Sequence, residues 1–198
     1  MKLLTAGPSP FANKVLMAAK LIGLPLEAVT TDAHGQAAEL IDANPLGKIP
    51  CLVLDDGRTL FDSRPITQYL DQVNGGGLYP SDADALFDVS RYEALCDGIC
   101  DCAVAFQYEM RMRPEEKWHQ PWLDRQWTKV KQGLSEATKE LPALDSPLDI
   151  RAIGLGATIG YLQLRFPGQW EEGNEALVDW MGQFEATYPD VAALKPRA

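Results

Sequence analysis

Hydrophobic and polar positions follow two different periods in the first 80 residues of the chain. Short apolar runs at Lys2–Thr5 and Leu26–Thr30 are typical of strands. Between them, from Phe11 to Ile22, apolar residues recur every three or four positions, which predicts a helix with one buried face. A short helix is predicted next, over Ala37–Ile41. The chain therefore begins with the order β-α-β-α.

The next segment predicts a β-hairpin followed by a helix. Two apolar runs, Cys51–Leu54 and Thr59–Phe61, flank the turn sequence Asp55-Asp56-Gly57-Arg58. A helix is then predicted over Ser63–Val73, and it ends at the run Asn74-Gly75-Gly76-Gly77. The first part of the chain therefore has the predicted order βαβαββα.

Beyond residue 80 the pattern is helical, with no convincing strand signal. Helical periods cover Ala83–Met112 and Glu115–Leu141, and Pro121 indicates a break near the start of the second. The segment Ser146-Pro147-Leu148-Asp149 resembles a capping box, with the hydroxyl at the cap, and predicts a helix that ends at Arg165.

One more helix, Glu175–Tyr188, completes an all-helical second half. We therefore expect a multidomain α+β protein. Its predicted parts are a βαβαββα domain over residues 1–77, a linker over 78–84 and an all-α domain over 85–198.

Composition narrows the possible function classes. The net charge of −10 argues against a nucleic-acid partner, because such partners need a basic surface. No apolar run is long enough for a membrane span, and Gly7-Pro8-Ser9-Pro10 interrupts any signal-peptide core. We expect a cytoplasmic protein. Four cysteines without a C-x-x-C pair, and only two histidines, argue against a disulfide framework and against a metal site.

The start of the first predicted helix carries candidate chemistry. Ser9 is a good N-cap and Pro10 suits the first helical position. A hydroxyl at a helix N-terminus can also donate a hydrogen bond to a thiolate and lower its pKa. Because no cysteine of the chain occupies this position, the sulfur has to arrive with a ligand.

Two further segments suit a small peptide with free termini. Asn44-Pro45-Leu46-Gly47-Lys48 leads into Ile49-Pro50, and a cis bond there would turn the Ile49 N–H and C=O towards a bound peptide. Asp62 and Ser63, at the start of a helix, are suited to an ammonium and a carboxylate group respectively. These features together indicate glutathione.

The chain resembles the cytosolic glutathione transferases over essentially its whole length. The resemblance rests on four segments in this order: Ser9-Pro10-Phe11, Asn44 to Pro50, Phe61-Asp62-Ser63 and Ser146 to Asp149. The chain is most similar to bacterial members that use serine. The resemblance implies a thioredoxin-like domain followed by a helical domain, and a homodimer. It also implies glutathione as cosubstrate, with no metal, and a small electrophile as second substrate.

The resemblance also implies a role for each matching residue. Ser9 would stabilise the thiolate, Ile49 before Pro50 would pair with the cysteinyl unit, and Lys48 would neutralise the glycyl carboxylate. Asp62 and Ser63 would hold the γ-glutamyl end, although the family commonly has Glu or Gln where Asp62 stands.

Further residues are expected around this site. Asp97 or Asp101 of the partner subunit would assist at the γ-glutamyl end, and His34 is a weaker candidate near the glycyl carboxylate. The electrophile pocket would be lined by Phe11 and by residues of the Phe106–Met112 stretch, with Trp118 or Trp122 as additional candidates.

Three other functions stay open at this point. The bound thiolate could reduce peroxides or disulfides instead of being conjugated. The protein could also bind glutathione for regulation, without turnover. A thioredoxin-like oxidoreductase is disfavoured, because no C-x-x-C motif lies near Ser9.

Overall fold

A computed structural model describes residues 1–35, 37–145 and 147–198 of the chain. The first part is a mixed four-stranded sheet with helices, and the predicted βαβαββα order is confirmed. Its elements are β1 (Lys2–Thr5), α1 (Pro10–Leu21), β2 (Glu27–Thr30), α2 (Ala38–Ala43), β3 (Cys51–Val53), β4 (Thr59–Leu60) and α3 (Ser63–Val73). The strand order is β2-β1-β3-β4, in which β1 is parallel to β2 and antiparallel to β3.

The described residues after α3 contain helices and no strand. The elements are α4 (Ala83–Met112), α5 (Gln120–Ala137), α6 (Ile150–Arg165), α7 (Glu175–Thr187) and α8 (Pro189–Ala192), with short 3-10 turns at Glu115–Lys117 and Thr138–Glu140. The predicted Glu115–Leu141 helix is thus interrupted, and Pro121 lies in the first turn of α5. The division into residues 1–77, 78–84 and 85–198 stays a prediction.

The start of α6 differs from the sequence interpretation. Helix α6 begins after Asp149, whose carboxylate accepts a hydrogen bond from the Arg151 N–H at 2.8 Å, so Asp149 is the cap and not the third residue of a capping box. Ser146, the expected cap, lies outside the described residues. At α3 the cap is Asp62, and Ser63 is the first helical residue.

Helix α1 lies between the two halves of the molecule. One side packs on the sheet and α3, in a core that includes Val15, Leu52 and Ile66. Its other side packs against α6, where a Cβ added to Gly156 would lie 3.1 Å from the Met17 methyl carbon. The helices therefore approach closely at this point, and α1 belongs to both cores.

A buried cation joins α1 to α4. The Lys14 Nζ lies 2.8 Å from both carboxylate oxygens of Asp97 and 3.0 Å from Glu93 Oε1. The side chain of Lys14 is only 2% exposed. Burial disfavours its charged form, but Asp97 and Glu93 outweigh this effect and raise the pKa of Lys14. This cluster therefore holds a charge that the low-polarity interior would otherwise exclude.

The cluster extends into the connection between the halves. The Tyr79 hydroxyl donates to Glu93 at 3.0 Å and lies 2.7 Å from Thr67 Oγ1 on α3. Burial and the Glu93 carboxylate raise the pKa of Tyr79, which keeps its hydroxyl protonated. Lys14, Thr67, Tyr79, Glu93 and Asp97 are called the interhelix cluster below.

Removing the cation should destabilise the fold. In Lys14→Met the side-chain volume is kept but the carboxylates of Glu93 and Asp97 lose their buried cation, and we expect the free energy of unfolding to fall by about 3 kcal/mol. Because the pKa of Lys14 is raised above its usual 10.5, the contribution is fully present at neutral pH and is lost only above that value.

Urea unfolding at neutral pH measures this effect. The control is Lys20→Gln on the same helix, whose half-exposed ammonium faces Asp190 at 3.6 Å; its effect should stay within about 0.5 kcal/mol. Equal stability of the Lys14→Met and Lys20→Gln proteins would contradict a stabilising role for the interhelix cluster.

Candidate functional site

Two adjoining cavities lie where the sheet domain meets α4. The first has a volume of about 410 Å³ and the second of about 590 Å³. Their shared wall is formed by Phe11, Leu46, Lys48, Ile49 and Asp101. A ligand can therefore extend from one cavity into the other.

The turn before β3 forms one wall of the first cavity. Asn44 is buried, its Nδ2 donates to the Lys48 carbonyl at 2.8 Å, and its Oδ1 accepts from the Leu46 N–H at 3.1 Å. Gly47 has a φ of 61°, a conformation that suits glycine. These contacts fix the path of the chain up to Ile49.

The peptide edge expected at Ile49 is present in the structure. The Ile49–Pro50 bond is cis, and among the described residues the Ile49 N–H and C=O make no backbone hydrogen bond. Ile49 lines both cavities. Its backbone groups are therefore available to an extended ligand.

The N-terminus of α3 forms the far end of the first cavity. Asp62 Oδ1 accepts a hydrogen bond from the Arg64 N–H at 3.1 Å, and the second carboxylate oxygen stays available. Ser63 is 2% exposed and also lines the cavity. The Phe61–Asp62 bond is cis as well, a feature that the sequence analysis did not anticipate. An acid, a hydroxyl and a helix N-terminus thus meet at one point.

Two acids of α4 complete the first cavity. The Asp97 carboxylate accepts a hydrogen bond from the Lys14 ammonium on its interior side. On the cavity side, one of its oxygens lies 3.3 Å from Arg64 Nε. Partial burial and the neighbouring Asp97 raise the pKa of Asp101, while Arg64 and Lys48 act in the opposite direction. Both acids lie on the same chain as Asp62 and Ser63. A contribution from a partner subunit stays a prediction.

Ser9 lies at the second cavity, at the start of α1. Its Oγ accepts a hydrogen bond from the Ala12 N–H at 3.2 Å, as the N-cap expectation required. The loop is held by Asn13, whose Nδ2 donates to the carbonyl groups of Gly7 and Ser9 at 2.7 Å each. Because Ser9 Oγ acts as an acceptor here, its own O–H remains available as a donor.

Helices α4 and α6 form the opposite wall of the second cavity. From the predicted stretch, Gln107, Tyr108 and Arg111 line it, whereas Phe106 packs in an aromatic cluster with Trp127. Trp118 and Trp122 line neither cavity. His34 also lies here, with its ring centroid 5.3 Å from that of Tyr108.

Two residues of this wall, Tyr161 and Arg165, were not anticipated from the sequence. Tyr161 belongs to an apolar helix, and Arg165 is the basic last residue of that helix. Both features have ordinary structural explanations, so no sequence signal separated these residues from core and helix-end residues.

The predicted site residues therefore come together. Ser9 lines the second cavity, Phe11, Lys48 and Ile49 line both, and Pro50, Asp62, Ser63 and Asp97 line the first. The continuous surface runs from an acid at a helix start, past a free peptide edge, to a hydroxyl at a second helix start.

None of the four cysteines lines either cavity. Burial raises the pKa of Cys51 and of Cys96, and it raises the pKa of Cys100 to about 12. Burial also raises the pKa of Cys102, which is partly exposed. Because the thiolate is the reactive form, these cysteines are poor nucleophiles at neutral pH.

Within residues 1–35, 37–145 and 147–198, no group of His, Cys, Asp and Glu side chains is arranged to hold a metal ion. No described helix is both long and apolar enough to cross a membrane.

Comparisons with known proteins agree with this geometry. Residues 8–73 match the family described as "Glutathione S-transferase, N-terminal domain". A glutathione S-transferase from Methylobacterium radiotolerans, solved in complex with glutathione sulfonate, is 36% identical with a TM-score of 0.90, covering 100% of this chain and 95% of that chain. A glutathione transferase family member from Pseudomonas fluorescens, solved with bound glutathione, is 35% identical with a TM-score of 0.90, covering 100% and 99%.

A curated relative extends the comparison. The uncharacterized GST-like protein YibF of Escherichia coli K12 is 29% identical over 171 residues, which is 83% of each chain. The fold is thus a thioredoxin-like domain followed by a helical domain, with a cavity pair between them. The chain belongs to the glutathione transferase family.

Proposed function

We propose that this protein binds glutathione across the first cavity, ionises its thiol beside Ser9 and transfers the thiolate to a small electrophile in the second cavity. The observation that carries the proposal is the position of Ser9, which lines the second cavity next to the wall shared with the first. Two relatives with more than 30% identity were solved with glutathione or glutathione sulfonate bound.

The first cavity suits the γ-glutamyl end of the tripeptide. The free oxygen of Asp62 would accept from the ammonium, and the Ser63 hydroxyl with the first N–H groups of α3 would donate to the carboxylate. Asp97 or Asp101 would add negative charge near the ammonium, from this chain or from the partner in a homodimer.

The remaining parts of glutathione would follow the shared wall. The backbone of Ile49, before the cis Pro50, would pair with the cysteinyl unit as a short strand. Lys48, which is exposed at the shared wall, would neutralise the glycyl carboxylate. Phe11, on the same wall, would contact the electrophile. The sulfur would then point towards Ser9.

Ser9 supplies the chemistry in this arrangement. A free thiol has a pKa of about 8.5, and lowering it by two units corresponds to about 2.7 kcal/mol in favour of the anion. A hydrogen bond from the Ser9 O–H to the thiolate, together with the positive end of α1, supplies free energy of this size. We also propose a cytoplasmic location and a role in detoxification, which follow from the family resemblance.

Replacing Ser9 tests the role of its hydroxyl. For Ser9→Ala we expect kcat/KM for conjugation of 1-chloro-2,4-dinitrobenzene to fall by about 100-fold below neutral pH. The loss should shrink as the pH rises towards the free-thiol pKa of about 8.5, because glutathione then ionises without help. The affinity for glutathione should change little.

Two further variants separate chemistry from folding. Ser9→Thr keeps the hydroxyl and should retain most of the activity, while Ser135→Ala, at an exposed position of α5, should match the unmodified protein. Loss of the cap in Ser9→Ala lowers the free energy of unfolding by about 1 kcal/mol, which urea unfolding detects. A pH–rate profile identical to that of the unmodified protein would rule out Ser9 as the thiolate-stabilising group.

Replacing Asp62 tests the γ-glutamyl end. Asp62→Asn keeps an oxygen for the Arg64 N–H but removes the charge that attracts an ammonium group. We expect KM for glutathione to rise about 10-fold with kcat nearly unchanged, since a charge-assisted hydrogen bond contributes about 1.5–3 kcal/mol. The matched control is Asp56→Asn, in the exposed turn before β4. If both variants have the same KM for glutathione, Asp62 does not bind the ammonium.

A further inference from the structure

The second cavity has a cationic side. Arg111 lies in the last turn of α4 and Arg165 is the last residue of α6, and both line this cavity. They enter from two different helices on the side opposite the β-sheet domain. Tyr161, one turn before Arg165 on α6, lines the cavity with them. Arg111, Tyr161 and Arg165 are called the cationic wall below.

The arginines of the cationic wall lack carboxylate partners. Across the described parts of the chain, neither Arg111 nor Arg165 takes part in an ion pair. Other arginines on or next to the same helices do: Arg113 lies 3.2 Å from Glu109, and Arg151 lies 2.7 Å from Asp149. Among the described arginines on or next to α4 and α6, the two without an ion pair are thus the two that line the cavity.

The tyrosines of the cavity add neutral donors. Tyr161 is 4% exposed, and its burial raises the pKa of its hydroxyl, although the nearby Arg165 acts in the opposite direction. Tyr108 lines the same cavity. Guanidinium groups beside a protonated phenol form a set of hydrogen-bond donors suited to a carboxylate.

The acids that line the same cavity have other partners. Asp32 accepts hydrogen bonds from the backbone N–H groups of Gly35 and His34, which lower the pKa of its carboxyl group. Asp101 lies on the wall shared with the first cavity and interacts with Arg64 and Lys48. Within the described parts of the chain, neither Asp32 nor Asp101 forms an ion pair with the cationic wall.

A cation in the last turn of a helix is also favourable for a purely structural reason, because it complements the helix dipole. That explanation accounts for each arginine separately. The helix-dipole explanation does not account for the fact that both arginines line the same cavity, beside a buried tyrosine. A ligand group with negative charge accounts for the convergence.

We propose that the cationic wall binds a carboxylate on the second substrate, so that the protein conjugates small electrophiles that carry a carboxylate group. This inference rests on the proposed transferase function. In the reaction the glutathione sulfur forms a bond to the electrophilic carbon, and the leaving group departs with its bonding electron pair. The carboxylate is unchanged and serves only to hold the electrophile near Ser9.

A pair of electrophiles that differ in one charge tests the proposal. They are 4-chloro-3-nitrobenzoate and its methyl ester, from which glutathione displaces chloride. Each kcat/KM is divided by the rate constant of the uncatalysed reaction, which removes the difference in intrinsic reactivity. We expect the corrected acid-to-ester ratio to exceed one and to fall about 10-fold in Arg165→Gln, since one charge-assisted hydrogen-bond partner is lost.

Two other variants provide a comparison for the change in the acid-to-ester ratio. Arg111→Gln should lower the ratio by about 3-fold, because Arg111 is more exposed than Arg165. Arg125→Gln replaces an exposed arginine of α5 that does not line the cavity, and it should leave the ratio unchanged. Urea unfolding should show that all three variants fold with nearly normal stability.

Two outcomes would overturn the inference while leaving the transferase function intact. One is an acid-to-ester ratio that is the same in Arg165→Gln and the unmodified protein. The other is an equal rise of KM for glutathione with both electrophiles, which would assign the arginines to the glycyl carboxylate of the peptide.

A binding measurement separates this inference from the proposed function. Calorimetry on the two reaction products, S-(4-carboxy-2-nitrophenyl)glutathione and its methyl ester, needs no turnover. We expect the acid to bind about 10-fold more tightly than the ester, and this difference in affinity to disappear in Arg165→Gln. That result supports carboxylate binding by the cationic wall even if no conjugation is detected. Equal affinities for the acid and the ester would overturn it.

Discussion

The ion pairs of Lys14 are the constraint on which the site depends. A lysine ammonium buried to this degree is stable only with close carboxylates, and α4 supplies two of them one helical turn apart. This requirement fixes α1 against α4 in one register. Without it, the α/β part and the helical part would be joined mainly by apolar contacts, which tolerate small shifts more easily.

Each element held by the interhelix cluster also carries a part of the candidate site. Helix α1 is capped by Ser9, which lines the second cavity, and α4 presents Asp97 to the first. Asp97 also lies 3.3 Å from Arg64 at the start of α3, next to Asp62 and Ser63. The proposed thiolate-binding hydroxyl and the proposed γ-glutamyl site lie on separate elements, and the interhelix cluster keeps them at a fixed spacing. Catalysis by positioning depends on such a spacing.

Much of the fold and of the first cavity could be predicted from the sequence, because the signals are local. Ser9 before Pro10 marks a helix start, and the bounds predicted for α3 and α4 agree with the structure. The order of the family's segments then placed Ile49, Asp62 and Ser63 in one site. At the start of α3, Asp62 and Ser63 are both residue types that cap helices, and only the backbone geometry identifies Asp62 as the cap.

The parts that sequence reasoning missed depend on contacts between distant residues. Lys14 lies on a helix with a regular apolar face, and its partners Glu93 and Asp97 are 79 and 83 positions away. Arg165 resembles an ordinary helix-end cation until α4 brings Arg111 and Tyr108 to the same cavity. Periodicity describes one element at a time and contains no information on which faces of two helices meet.

The central claim is that this site binds glutathione and favours its thiolate. The most direct measurement is the ultraviolet absorbance of the thiolate in the glutathione complex, titrated across the pH range. The account predicts that bound glutathione ionises about two pH units below the free thiol, which has a pKa of about 8.5. A bound thiol that titrates at the value of free glutathione would contradict the claim, whatever the affinity of the complex.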